Sequence, residues 1–133
     1  MTPETEAAIQ ECTAGSDAER ITFPEVVGQL VGAGVERYHA DLVRAEKTYY
    51  LPDGESRVLA AKPVASAPAA AFSAAGVESA VRAIQAGRIG YGAFCDRIAA
   101  AGCVDYTVSL AGRRAVYNGR TGESYVEPFP AAT

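Results

Sequence analysis

The only histidine of the 133-residue chain, His39, stands two residues before Asp41. On an extended strand such a pair shares one face at about 6 to 7 Å, the spacing at which a carboxylate can orient an imidazole that titrates near neutral pH. No nucleophile neighbours them in sequence, so the pair reads as polar residues on a wetted strand, and no catalytic residue is assigned. A metal centre has less support: one histidine needs carboxylates from elsewhere to complete a coordination shell. Cys12, Cys95 and Cys103 are odd in number, widely spaced and free of any C-x-x-C pair. That argues against a disulfide framework and a four-cysteine zinc site, and leaves them as small buried hydrophobes.

Seven tyrosines and no tryptophan make up most of the aromatic content. Tyrosine suits cross-strand pairs and cores in which the hydroxyl finds a partner, and equally an amphipathic cleft that takes a small ligand. For the cleft the candidate ligand-binding residues are Tyr38, His39, Tyr106, Glu55 and Glu123. Arg113, Arg114 and Arg120 form a basic cluster along the chain that could hold an anion or a nucleic-acid backbone, although arginines on a hairpin more often face solvent. No phosphate-cradling glycine loop, nucleophile elbow or zinc spacing occurs, and no cofactor is implied.

The elements that must position these residues announce themselves by repetition. Sliding the chain by 68 positions aligns residues 21–58 with 89–126 without a gap, and ten of the 38 positions are identical. They include Ala33-Gly34 on Ala101-Gly102, Tyr38 on Tyr106, Tyr49 on Tyr117, and Gly54-Glu55-Ser56 on Gly122-Glu123-Ser124. Each copy opens with a helix: Phe23, Val26, Val27, Leu30 and Val31 form one stripe, echoed by Tyr91, Phe94, Cys95, Ile98 and Ala99. Thr22 and Glu25 fit a capping box, and Gly34 and Gly102 fit left-handed C-terminal caps. The period then changes to two, with Arg37, His39 and Asp41 alternating against Tyr38, Ala40 and Leu42. Two more strands follow in each copy, at residues 47–51 and 55–59, then 113–117 and 123–127, joined by turns built on Pro52-Asp53-Gly54 and Asn118 to Gly122. A further helix precedes each copy, from Pro3 to Cys12 and from Ser73 to Gly87.

The pattern Phe23-Pro24-Glu25, Ala33-Gly34-Val35, Tyr38, Tyr49-Tyr50 and Asp53-Gly54, with its echo in Ala101-Gly102, Tyr106, Tyr117 and Gly122-Glu123-Ser124-Tyr125, resembles the domain of unknown function 1398 family. These are small bacterial and phage-associated proteins, some labelled phage envelope protein. The resemblance spans roughly residues 21–129 and implies a fold but no reaction. Asn118 stands where the second tyrosine of the first copy's pair would fall, and the alanine-rich linker is particular to this chain.

These readings combine into a single α+β domain: repeat one over about residues 3–60, an alanine- and proline-rich linker over about 61–72, and repeat two over about 73–129. The copies share one core about a pseudo-twofold axis, since neither is large enough to fold comfortably alone. An apolar fraction of 49% and a net charge of -4 exclude wholesale disorder. The acidic balance argues against unspecific nucleic-acid binding. No apolar run reaches the length of a membrane helix, and the acidic opening Thr2 to Glu6 has the wrong sign for a signal peptide, so a cytoplasmic protein is expected. Function is not fixed by sequence. The leading expectation is a non-enzymatic binding or interaction protein with an unknown protein or small-molecule partner, possible as a homodimer through an exposed strand edge. The alternative is a small ligand-binding protein or enzyme with a tyrosine- and histidine-lined pocket at the repeat interface.

Overall fold

A computed structural model describes residues 1–130. Four helices lie on one face of a six-stranded antiparallel sheet, an α+β single domain. The order along the chain is α1 (Pro3–Asp17), α2 (Phe23–Gly32), β1 (Arg37–Asp41), β2 (Glu46–Tyr50), β3 (Ser56–Ala60), α3 (Ala74–Gln85), α4 (Tyr91–Ala100), β4 (Cys103–Ser109), β5 (Arg114–Gly119) and β6 (Ser124–Pro128).

Local chemistry sets the helix ends. Thr2 caps α1 by accepting from the Thr5 backbone N–H, and Pro3 follows where its missing donor costs nothing. Thr22 and Glu25 form the expected capping box at α2, and Ser73 caps α3. Gly34 and Gly102 take φ of 82° and 90° after α2 and α4. At Gly102 a Cβ would also lie 2.2 Å from the Ala71 carbonyl oxygen, so glycine is required there twice over. Helix α1 runs five residues past the expected end at Cys12. Thr13 anchors that extra turn, its hydroxyl sharing hydrogen bonds with the Ile9 carbonyl at 2.9 Å and the Tyr49 hydroxyl at 2.8 Å, so tertiary contacts override weak helix propensity.

The expected apolar stripe of α2 is too wide. Val26 and Leu30 are buried, but Val31 is 58% exposed because one further residue turns it about 100° away from the sheet. Phe23 is 41% exposed and packs edge-to-face on Phe129, with ring centroids 5.4 Å apart.

The sheet order is β3-β2-β1-β4-β5-β6. Its centre is the β1–β4 pairing, where His39 sits opposite Thr107, Tyr38 opposite Val108 and Ala40 opposite Tyr106. His39 and Thr107 differ by the repeat offset of 68, so a twofold axis between them would exchange the halves. The flanking registers agree: Tyr38 pairs with Tyr49 as Tyr106 pairs with Tyr117, and Thr48 pairs with Val58 as Val116 pairs with Val126. The Tyr38–Tyr49 and Tyr106–Tyr117 rings both stand 5.3 Å apart, tilted by 33° and 36°. This arrangement fits the internal duplication.

Alternation divides the sheet into two faces. Tyr38, Ala40, Lys47, Tyr49, Tyr106, Val108, Ala115 and Tyr117 are buried under the helices, against Ile9, Val26, Leu30, Val77, Val81, Phe94 and Ile98. Arg37, His39, Asp41, Thr48, Thr107 and Val116 take the opposite face, which no helix covers. Strands β3 and β6 are the sheet edges.

The alanine- and proline-rich segment carries no regular element, yet it is fastened. Ala65 donates to the Asp96 carboxylate at 2.8 Å, Ala69 to the Ala99 carbonyl at 3.0 Å, and Ser73 to the Ala101 carbonyl at 2.7 Å. Phe72 sits against Gly119, where a Cβ would come within 2.8 Å of its side chain.

Candidate functional site

Between the helix layer and the sheet lies a cavity of about 670 Å³. Its walls come from both halves in equivalent pairs: Ile21 with Ile89, Phe23 with Tyr91, Val26 with Phe94, Tyr38 with Tyr106, and Lys47 with Ala115, each 68 residues apart. The cavity therefore straddles the pseudo-twofold axis. The symmetry fails where a polar residue in the first half meets a smaller or apolar one in the second: Ser16 with Ile84, Glu19 with Gly87, Thr22 with Gly90, and Lys47 with Ala115.

Lys47 is the unusual group. Strand β2 places it on the same face as Tyr49, and it is only 4% exposed. Its Nζ lies 4.5 Å from the centre of the Tyr91 ring and 6.0 Å from that of Tyr38. Ring faces attract an ammonium, but among the described residues no carboxylate pairs with it and no hydrogen-bond acceptor reaches it. Burial pulls its pKa below the usual 10.5, opposed by Cys95, Asp17 and Cys12. The two thiols supply no counter-charge near neutral pH, because burial pushes each up to about 11. Asp17 is engaged elsewhere, accepting from the Lys62 backbone N–H at 3.1 Å.

The phenols around the cavity differ in how they are satisfied. The Tyr91 and Tyr106 hydroxyls share a 2.6 Å hydrogen bond. Those of Tyr38 and Tyr117 have no hydrogen-bond partner among the described residues, although both residues are buried. Desolvation raises all four above the ordinary tyrosine value, so each is a neutral hydroxyl able to donate. Two carboxylates also reach the cavity wall, Glu19 and Glu127. Glu127 is taken up by Arg82 at 2.8 Å and the Tyr125 hydroxyl at 2.6 Å, and its pKa is lowered despite burial by those hydrogen bonds. The remaining wall is mainly apolar, from Val26, Val81, Ile84, Ile89, Phe94 and Phe129, with Ser16, Thr22 and Gln85 as polar exceptions. An apolar chamber with a few convergent polar groups is the usual form of a small-molecule site.

Of the ligand-binding residues expected from sequence, Tyr38 and Tyr106 lie on this cavity, and the others lie apart from it. His39 is on the uncovered face of the sheet. Its Nε2 is 3.6 Å from an Asp105 carboxylate oxygen, and Asp105 also accepts from Asn118 at 2.8 Å. Asp41, the carboxylate suggested by spacing, instead accepts from the Val43 and Arg44 backbone N–H groups, both at 2.9 Å. Glu55 stands in the β2–β3 turn, 2.7 Å from the amino group of Met1, and Glu123 stands in the β5–β6 turn, bonded to the Thr121 hydroxyl. The three arginines do not converge. Arg113 lies over the Phe129 ring at 5.4 Å, Arg114 donates to the Gly112 carbonyl at 3.2 Å, and Arg120, at the far end of β5, donates to the Pro68 carbonyl at 2.7 Å.

Lys47 was not among the residues expected from sequence. The signal was present: it sits two residues before Tyr49 on a strand, and its repeat equivalent, Ala115, sits two before Tyr117. Among the described residues no group of three His, Cys, Asp or Glu could hold a metal ion, and no helix is long and apolar enough to cross a membrane. No family model and no curated protein matches the chain.

Proposed function

We propose that the protein binds a small, mainly apolar organic molecule in the cavity between its helices and its sheet. One observation carries this reading: Lys47, Tyr38 and Tyr117, all buried residues, line the same chamber, and their polar atoms make no hydrogen bond among the described residues. Among the described residues no fully buried side-chain N or O lacks a partner, so these three groups keep contact with the open space of the chamber rather than being sealed off. A ligand that brings acceptors to this point takes up hydrogen-bonding capacity that the fold leaves to solvent, while its body displaces water from Val26, Val81, Ile84, Ile89 and Phe94. Tyr38 and Tyr106 act as positioning groups on the axis, and Lys47 distinguishes one end of the chamber from the other.

Native mass spectrometry of the protein purified untagged tests the reading directly, with spectra taken before and after organic extraction. A reproducible adduct that extraction removes, and that is lost on replacing Ala115 with Phe to fill the chamber, is the expected result. Protein that carries no adduct and shows no thermal stabilisation by any member of a panel of apolar acids, alcohols and amines overturns it.

A further inference from the structure

We infer that the cavity takes an apolar monocarboxylate, with the ligand's carboxylate set against Lys47 and its hydrocarbon or aromatic body lying along the apolar wall. The inference rests on the reading of the cavity as a ligand site and specifies its chemistry. Lys47 is 4% exposed, and its protonated form has aromatic ring faces as its recorded partners and no salt bridge among the described residues. A ring face at 4.5 Å compensates only part of the lost hydration of an ammonium. A neutral alcohol would leave the charge uncompensated, and an amine would add a second like charge.

A carboxylate supplies the missing opposite charge, and its two oxygens offer more acceptor sites than the ammonium alone can fill. The Tyr38 and Tyr117 hydroxyls, both unpaired donors on the same chamber, suit the sites that remain. Asp17 accepts from the Lys62 backbone and Glu127 is held by Arg82, while Glu19, the other carboxylate on the wall, makes no salt bridge with Lys47 among the described residues. Apolar surface dominates the rest of the wall, which excludes small hydrophilic acids as good ligands because they would leave that surface unfilled. The asymmetry at Lys47 and Ala115 gives the bound molecule a polarity: head group toward β2, body across the axis toward β5.

The test compares head groups at constant body. Octanoate, decanoate, dodecanoate and 2-naphthoate are titrated calorimetrically into ligand-free protein beside the matching alcohols and amines, with wild type and the Lys47→Met and Lys47→Arg variants. The expected result is that wild type prefers at least one acid to its alcohol by about tenfold or more, the order of a buried charge pair. Lys47→Met should abolish that preference while leaving alcohol binding unchanged, and Lys47→Arg should keep part of it. Equal binding of acid and alcohol by wild type, or an acid preference that survives Lys47→Met, overturns the carboxylate assignment but leaves the cavity as a binding site. Binding of none of the probes overturns both.

Discussion

Replacing Lys47 with methionine should make the ligand-free protein more stable, which is the reverse of what most core substitutions do. Methionine keeps an unbranched stem of similar length and removes the charge. The wild-type residue is 4% exposed and gains a ring contact at 4.5 Å from Tyr91, worth about 0.5 to 2 kcal/mol, against a desolvation penalty of several kcal/mol. The difference suggests a gain of about 1 to 3 kcal/mol, or roughly 3 to 5 °C in Tm for each kcal/mol at this chain length. The gain must depend on pH. Burial holds the folded-state pKa of Lys47 below its ordinary 10.5, so the unfolded chain binds the proton more tightly. The penalty is complete below the folded-state pKa, shrinks as pH rises, and is gone only above 10.5, where the amine is neutral in both states. Buried tyrosines act in the opposite sense: their folded pKa values are raised, so both proteins lose stability once unfolded tyrosines ionise near pH 10. Subtracting one urea-denaturation series from the other isolates Lys47. A variant less stable than wild type at neutral pH, or a gap that does not narrow between pH 7 and 10.5, would refute the reasoning, because the amine would then have a counter-charge inside the fold.

Tyr38→Phe should weaken binding of any acid the protein accepts by a few-fold, whereas His39→Ala should leave it unchanged, since the two adjacent residues point to opposite faces of β1; calorimetry with both variants checks this. Thr22→Ala removes the capping box of α2 and should cost about 1 kcal/mol, read as a lower urea midpoint at constant m-value. The three thiols should resist a disulfide exchange reagent at pH 8 in the native protein and react together on unfolding, because burial raises Cys12 and Cys95 to about 11 and Cys103 to about 12; fast reaction of any one in the native state contradicts that.

The elements were largely legible because they rest on short-range rules. The period change after Gly34 and Gly102, the capping box and the repeat offset each correspond to an observed boundary or register. Widths and ends were less legible: Val31 faces solvent and α1 overruns Cys12, because both depend on how a helix seats against its neighbours. The site was half legible. Tyr38 and Tyr106 could be picked out by repetition, but His39 could not share a pocket with Tyr38 once the strand was accepted. Lys47 is hard to read from sequence because lysine is ordinarily exposed, although it shares the parity of the buried Tyr49 on β2.

The β1–β4 pairing also says something about how the molecule assembles. Every other strand pair joins neighbours in sequence, but this one closes a loop across the whole 61–73 segment and helices α3 and α4. The contacts within each helix-and-meander half are local in sequence, while the full sheet needs this distant pairing, the slow kind of step. The chamber does not exist until that encounter has occurred, since its walls are drawn from both halves. Any molecule that fills it is therefore a fastener for the seam. Two fragments cut within the 61–73 segment should reassociate more tightly in its presence, which makes ligand occupancy a measure of how firmly the two halves are joined.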